Sequence, residues 1–348
     1  MDFYDLIDPV ELTGVARQVV ADEDQEMNTF QLRRWFPAVN VDSIEFEWDA
    51  GTTRSYTDSM PFRTWTTEAP LGNRPGRIRK SGEMPPLSLK FMLTELDRIR
   101  QRQALRGGGL AADAVQGDVF GDIERGIKAM LNRMEIAAAD AVVNGSTVLA
   151  ENGLALTVDF GRDAAREDTV ANAWSSAGTA TPLSDEAAVV EVMEDNEGLS
   201  ADDLVAVMNR DTWKDWKAAD QVRNSLNTVR VLDDIPISGV NEIRRGQELP
   251  DVALYNAKTN GVDGTNRKII PDGMVVYLPK NAPVGQTQFG VPAVADEPEV
   301  ALEADQRPGP VAYMMRQLDP LIVYTVVDAI GFPVFGDVDR TYALDVAP

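Results

Sequence analysis

The sequence predicts an α+β protein, and three observations carry that prediction. Apolar residues recur every three or four positions through GDIERGIKAMLNRMEIAAADAVVNG at 121–145, which is the period of an amphipathic helix. Ile44, Phe46 and Trp48 alternate with acidic residues, which is the period of a strand with one buried face. In the second half, helical runs alternate with short apolar runs such as DLVAVMN and GMVVYLP, which predict strands.

The N-terminal segment predicts a short amphipathic helix. Asp8 is placed to cap it, Pro9 suits its first turn, and Glu11 completes a capping box. Because so short a helix has little core of its own, we expect it to dock on another element. The residues expected on its apolar face are Leu12, Val15, Ala16, Val19 and Val20.

The long run in mid-chain predicts a helix from about Asp113 to Val143, roughly 45 Å in length at 1.5 Å per residue. Asn144 and Gly145 supply a left-handed stop, and Glu124 and Lys128 are spaced to form an ion pair. The methionines of this run are expected to fill the core rather than to bind a cofactor. The expected core positions are Val119, Ile123, Ile127, Met130 and Met134.

A long stretch from Met60 to Leu93 is rich in proline and glycine, which predicts an extended excursion. Long loops inside domains are usually functional or disordered. Its aromatic residues Phe62 and Trp65, together with its basic residues, indicate a loop that binds a partner. The basic residues concerned include Arg63, Arg74, Arg77, Arg79 and Lys80.

A glycine trio, Gly107, Gly108 and Gly109, ends the next short helical run, TELDRIRQRQALR. Such a trio can cradle a phosphate, but no Walker-type Lys-Ser/Thr pair and no dinucleotide-binding spacing follows it. We therefore interpret the trio as a hinge before the long helix.

The composition argues against several classes of protein. The 348 residues contain no cysteine and no histidine, which removes disulfides, Cys/His zinc sites and His-based catalytic triads. The net charge of −23 is opposite to that of proteins that grip nucleic acid phosphates. No apolar run approaches the ~20 residues of a membrane span, and the first residues do not resemble a signal peptide.

The charge is unevenly distributed along the chain. The segment 74–106 is strongly basic, whereas the first thirty residues are strongly acidic. A basic segment on an acidic body suggests pairing with another acidic surface, such as a second copy of the chain. Composition alone favours the alternative, a solvated surface of mixed charge.

No group of residues predicts catalysis, a metal site or a cofactor site. The acidic residues at 22–26 lack the spacing of a calcium loop, and TNGVDGTN lacks its closing glutamate. Asp263-Gly264 is better interpreted as a hairpin turn. Asp233 and Asp234 are adjacent on a predicted strand and point to opposite faces. We therefore expect no catalytic residues, no metal and no cofactor.

The order of these parts, with three local strings, resembles a known family. The strings are TVDFGR at 157–162, IPDGMVVYLP at 270–279 and YMMRQLDPLIVYTVVDAIGFPVF near the C-terminus. Together they are similar to the major capsid proteins of tailed phages, in the lambda-like gene-E branch with the Hong-Kong-97-type fold. The resemblance covers essentially the whole chain.

The resemblance implies a division of the chain into five parts. An N-terminal arm with the first strand spans 1–48, and an extended loop (E-loop) that lies over a neighbouring subunit spans 49–91. A peripheral domain spans 92–180 and contains the long helix as its spine at 113–143. An axial domain spans 181–320, and return strands to the peripheral domain span 321–348. Arg63, Trp65, Arg74, Arg77, Arg79 and Lys80 would then be inter-subunit contacts.

The implied function is self-assembly, as hexamers and pentamers, into the icosahedral shell that encloses the double-stranded DNA of a tailed phage. The implied partners are a separate scaffold, a portal and a decoration protein, and DNA would be enclosed without sequence-specific binding. Assembly would take place in the host cytoplasm and the product would be the virion. Lys80 is the one lysine of the loop before Lys90. Nothing in the sequence places beside it a residue with which it could form a covalent link between subunits.

Three alternatives remain at this point. An encapsulin-type cellular compartment shares the fold and would enclose cargo in place of DNA. An α/β enzyme using carboxylates or lysine would need a pair of catalytic groups, which the sequence does not offer. An adhesin or another structural protein of the phage tail would be richer in β repeats than this chain.

Overall fold

The chain forms two compact units, each built from separate stretches of sequence. The first unit combines residues 1–46, 81–137 and 286–334, and the second combines residues 47–80, 138–285 and 335–348. The computed structural model describes residues 9–26, 30–50, 59–60, 62–68, 78–97, 99, 103, 110–225, 236–261, 264–297, 300, 302 and 307–348.

Six α-helices with described bounds carry most of the helical part of the fold, and residues 95–97, 99 and 103 are also helical. The longest begins three residues before the predicted start and ends at Asn144, where Gly145 takes the left-handed conformation, with φ of 66°. The helices are α1 (Pro9–Glu26), α2 (Leu110–Asn144), α3 (Pro182–Glu197), α4 (Arg210–Ala218), α5 (Asp220–Ser225) and α6 (Ile237–Arg245).

Strands of the described residues form two five-stranded sheets and three two-stranded pairs, so the predicted α+β class is confirmed. The strands are β1 (Ala38–Asn40), β2 (Glu45–Ala50), β3 (Ile78–Glu83), β4 (Pro86–Leu93), β5 (Ser146–Glu151), β6 (Leu154–Asp159), β7 (Glu167–Thr169), β8 (Leu204–Met208), β9 (Asp251–Leu254), β10 (Lys258–Asn260), β11 (Asn266–Lys268), β12 (Met274–Pro279), β13 (Gly285–Phe289), β14 (Val311–Leu318), β15 (Leu321–Phe335) and β16 (Tyr342–Asp345).

The first unit packs α1 and α2 on a sheet in the order β1-β13-β15-β14, with β4 also paired to β15. α1 lies on β14, where the Thr13 hydroxyl donates to the Ala312 carbonyl at 3.1 Å and accepts from its N–H at 3.3 Å. Lys128 pairs with Glu124 at 2.7 Å, as predicted, and reaches Glu23 of α1 at 3.4 Å. The expected docking of the N-terminal helix is therefore what the structure shows.

The apolar stripe of α2 forms the core of this unit. Val119, Ile123, Ile127, Met130 and Met134 are all buried, in one cluster with residues of α1 and of the sheet. Because these positions repeat in steps of three and four, they fall on one face of the helix. The same cluster contains Leu12, Ala16, Phe30, Leu131, Phe289, Ala312, Val327 and Ala329.

The second unit contains the sheet β7-β16-β12-β8-β9. β8 is buried at every position, which its uninterrupted apolar sequence predicts. β8 and β9 are parallel, and such a pair requires a long crossover connection, here containing α4, α5 and α6. The core of this unit includes Trp174, Trp213 and Trp216.

The structure differs from the sequence-based expectations at two places. Phe46 and Trp48 are buried, but Ile44 is 59% exposed, because it precedes β2 and does not share its buried face. The C-terminal residues 321–348 do not return as one group. β15 pairs with β4 and β14, whereas β16 pairs with β12 and β7 in the other sheet.

Candidate assembly surfaces

The segment Ser59–Glu68, of which Pro61 is not described, presents large apolar side chains to solvent. Met60, Phe62 and Trp65 are fully or almost fully exposed. The Arg63 guanidinium donates to the Thr67 carbonyl at 2.7 Å, which closes the turn that carries them. Large apolar side chains that are exposed so close together in sequence are typical of an interaction surface.

The two described basic residues at the base of the predicted loop have partners within the chain. Arg79 pairs with Glu47 at 3.1 Å and with Asp49 at 3.5 Å. The Lys80 ammonium donates to the Asp159 carbonyl at 3.4 Å and lies 5.9 Å from the centre of the Trp48 ring. These contacts tie β3 to β2 and β6. Arg74 and Arg77 lie outside the described residues.

A line of aromatic rings anchors the base of the same loop. The ring centres of Trp48 and Phe160 are 5.5 Å apart, and those of Phe160 and Phe335 are 5.8 Å apart. All three rings are buried. The loop therefore has a firmly packed base, in contrast to its exposed apolar segment.

The string TVDFGR closes the end of the long helix. Arg162 donates to the carbonyls of Val142 at 2.7 Å and Val143 at 2.9 Å, which are helix-end acceptors without partners inside α2. Gly161, with φ of 78°, makes the turn that aims Arg162 at the helix. Burial lowers the pKa of Arg162, and the Glu167 carboxylate opposes that effect. The family resemblance singled out this string, but it did not indicate that Arg162 caps the helix.

The glycine trio Gly107, Gly108 and Gly109 lies outside the described residues, as do Asp8, Asp233 and Asp234. The hinge therefore stays a prediction. Asp263 also lies outside, although the strands that flank its predicted turn, β10 and β11, are described and pair antiparallel.

A buried charged network in the second unit was missed by sequence reasoning. The Arg244 guanidinium makes a two-pronged contact with the Glu186 carboxylate, and both side chains are fully buried. Glu186 also accepts the Trp216 indole N–H at 2.6 Å, and Arg244 donates to the Pro250 carbonyl at 2.9 Å. Removing either charged member of this network is destabilising, because it leaves the other charge unpaired in the core.

Two adjoining clefts lie on the surface of the second unit, sharing Lys258 and Lys268 in their walls. The larger, about 450 Å³, lies between the end of α2 and the β10–β11 hairpin, and the smaller, about 290 Å³, lies at the start of α4. Polar side chains predominate in both walls. They are Asp140, Asn144, Asn209, Arg210, Asp211, Asn256, Lys258, Asn266, Arg267, Lys268 and Asp272.

Hydrogen bonds occupy the start of α4 at the edge of the smaller cleft. Asn209 caps the helix by accepting from the N–H groups of Asp211 at 3.0 Å and Thr212 at 2.9 Å. The Arg210 N–H donates to Asn256 at 2.6 Å. The backbone donors here are therefore engaged, and any further binding capacity belongs to the side chains.

The three acids of the clefts all pair with cations. Lys268 bonds both Asp211 and Asp272, and Arg267 pairs with Asp140 at 2.9 Å. Hydrogen bonds from Lys214 and then Lys268 lower the pKa of Asp211 to about 2. The same bonds to Asp211 and Asp272 raise the pKa of Lys268. Asp211 is thus held ionised, and all three acids have a cationic partner within the chain.

Within the described residues, no three acidic side chains converge as ligands for a metal ion. In the same part of the chain, no helix has the length and apolarity of a membrane span.

Comparison with known families gives a match over most of the chain. The model of the phage major capsid protein E family matches residues 11–328. No curated protein matches the sequence.

Two solved structures share the fold over nearly their full lengths. A protein of E. coli CFT073 assigned as a prophage capsid protein superposes with a TM-score of 0.64 at 14% identity, covering 98% of this chain and 99% of that one. A phage-related protein of Bordetella bronchiseptica RB50 superposes with a TM-score of 0.57 at 12% identity, covering 98% and 97%. At such low identity the likeness shows the fold alone.

Proposed function

This chain belongs to the phage major capsid protein E family, and from that premise we propose that its copies form the icosahedral head shell around the double-stranded DNA of a tailed phage. That it is a head shell protein of a phage is the established part, and the family match over 11–328 carries it. The expected resemblance to phage major capsid proteins, with the Hong-Kong-97-type fold, is confirmed. The shell geometry and the contacts below are the proposal.

The exposed segment 59–68 is the proposed contact with a neighbouring copy. Phe62 and Trp65 leave a large apolar area in water, and covering it with a second chain removes that cost. Arg79 and Lys80 make bonds to their own chain, so they hold the base of the E-loop while its apolar segment reaches out. The apolar residues, more than these two cations, are expected to provide the assembly energy.

The two compact units suit the two domains of the proposed subunit. The unit with α2 and the sheet containing β15 corresponds to the peripheral domain, with α2 as its spine. The unit with the sheet containing β8 and β12 corresponds to the axial domain, around the fivefold and sixfold positions of the shell. α1 is the proposed N-terminal arm.

The proposed assembly takes place in the host cytoplasm and yields the capsid of the virion. Hexamers and pentamers of this chain are its building blocks, and a separate scaffold, a portal and a decoration protein are its partners. The acidic chain encloses DNA without gripping it, because a net charge of −23 repels phosphates.

Negative-stain electron microscopy with size-exclusion chromatography of the purified protein tests this proposal. The expected result is closed thin-walled shells, or rings of five and six copies, from the chain alone or after co-expression with its scaffold. DNA inside particles from infected cells distinguishes a phage head from a cellular compartment that encloses protein cargo. A chain that stays monomeric with its scaffold present contradicts the proposal.

A further inference from the structure

The clefts of the second unit contain more positive than negative charge. Four cations line them, Arg210, Lys258, Arg267 and Lys268, against the acids Asp140, Asp211 and Asp272. Arg267 and Lys268 are committed to those acids. Within the described part of the chain, the side chains of Arg210 and Lys258 have neither an ion pair nor a hydrogen bond.

We propose that these adjoining clefts bind a carboxylate of a second copy of this chain, with Lys258 and Arg210 as its receiving cations. Both side chains line the smaller cleft, together with the amides of Asn209 and Asn256. Hydrogen bonds from these two cations to a carboxylate are charge-assisted. They are stronger than hydrogen bonds between neutral groups, and they fix the register of an interface. The inference rests on the proposed shell, because it needs a neighbouring copy.

The composition of the chain favours a carboxylate over a phosphate as the occupant. Acidic residues outnumber basic ones by 56 to 33, so carboxylates are the commonest charged groups that a neighbouring copy offers. The net charge repels DNA phosphates and a second copy alike, so the choice between them rests on this supply of carboxylates and on the proposed shell, which places copies side by side. The committed pairs of Lys268 and Arg267 hold the walls of the clefts in place around the two free cations.

A zero-length carbodiimide cross-link, which joins a lysine amine to a contacting carboxylate, tests the contact. Shells are assembled without DNA from a mixture of ¹⁵N-labelled and unlabelled chains, cross-linked and analysed by mass spectrometry. Lys258 is expected in peptides that combine the two isotopes. Lys268 is the matched control in the same cleft, because its partners Asp211 and Asp272 belong to its own chain and give single-isotope products. Single-isotope or absent products at Lys258 overturn the proposal.

Charge reversal gives an independent second readout. The Arg210→Glu/Lys258→Glu variant is expected to assemble roughly tenfold less than the parent, because it places carboxylates opposite the proposed carboxylate and like charges across an interface repel. Arg223→Glu, which changes the net charge by half as much as the double variant does, is the control for charge reversal elsewhere, since Arg223 is exposed in the same unit and lies outside the clefts. An equal loss in the control, or no loss in the double variant, contradicts the proposed site.

The possible results distinguish a failure of this inference from a failure of the proposed shell. Shells that form normally while Lys258 stays uncross-linked defeat this inference and leave the proposed shell intact. A parent chain that never assembles defeats both, which size-exclusion chromatography reveals before any cross-linking. An effect of the double variant that is confined to DNA-filled particles identifies phosphate as the occupant and overturns the carboxylate assignment.

Discussion

Aromatic side chains are buried in the core of the second unit and exposed in the segment 59–68. Trp174 and Trp216 are fully buried, and each indole N–H donates to a carboxylate, of Asp185 at 2.9 Å and of Glu186 at 2.6 Å. Trp65, by contrast, is fully exposed. The buried rings have all their contacts within the chain, so they stabilise the fold, whereas the exposed ring gains burial only when another molecule covers it.

The same contrast applies to the charged groups. Glu186 and Arg244 satisfy each other inside the core, while Lys258 and Arg210 are left without partners in the described chain. Removing an internally satisfied group therefore costs folding free energy. Removing Lys258 or Arg210, by contrast, is expected to weaken the proposed assembly and to leave folding unchanged. Substitutions in each class test this division.

Arg244→Met is expected to have one of the two largest effects on folding. It leaves the Glu186 carboxylate buried without its partner, which is expected to lower the free energy of unfolding by about 3–5 kcal/mol. Urea unfolding followed by tryptophan fluorescence measures it. The double variant Glu186→Leu/Arg244→Met removes both charges and is expected to recover most of the loss; equal losses in the single and double variants contradict the network.

A smaller loss is expected from Ile127→Ala in the buried stripe of α2. Truncating a fully buried isoleucine leaves a cavity and lowers the free energy of unfolding by about 2–4 kcal/mol. Arg125→Ala, two residues away on the exposed face, serves as the control and is expected to change stability by less than about 0.5 kcal/mol. Equal effects of the two substitutions argue against α2 as the core element of its unit.

Asn209→Ala is expected to be milder still. It removes the cap of α4 and the 2.6 Å bond to Asp272, at a cost of about 1–2 kcal/mol of unfolding free energy. Thermal unfolding by circular dichroism is the measurement. Asn209→Ser keeps a capping oxygen, so a stability as low as that of the alanine variant disagrees with a capping role.

Trp65→Ala is expected to have the smallest effect on folding, within about 0.5 kcal/mol of the parent, because the ring has no buried area to lose. Urea unfolding of the unassembled protein measures it. Trp216→Ala, which empties a buried site of equal size, is the matched comparison. It is expected to lower the free energy of unfolding by about 3–5 kcal/mol. Similar losses at the two tryptophans erase the distinction between the regions.

Local features of the sequence predicted those helices and strands whose capping residues and apolar periodicity lie within or next to the element itself. The long helix ends at Asn144, next to its predicted glycine stop, and α3 has Pro182 at its start and Gly198 just past its end, which are the positions these residues favour. The apolar alternation also predicted the buried faces of Phe46 and Trp48. These features are readable because their determinants lie within one or two turns of the chain.

Features that depend on distant pairing could not be predicted. Glu186 and Arg244 are 58 residues apart, and nothing in either local sequence marks a buried ion pair. β16 joins β12 rather than following β15, which depends on sheet order alone. The clefts bring together α2, α4 and the β10–β11 hairpin, so their cations resembled ordinary surface charges in the sequence.

The decisive test of the exposed segment's proposed role is the assembled fraction of the Phe62→Ser/Trp65→Ser variant, measured by analytical ultracentrifugation alongside its thermal unfolding. The account predicts an unfolding temperature equal to that of the parent and a loss of closed shells, because the exposed apolar segment contributes to assembly and not to folding. Normal shells from this folded variant would contradict it.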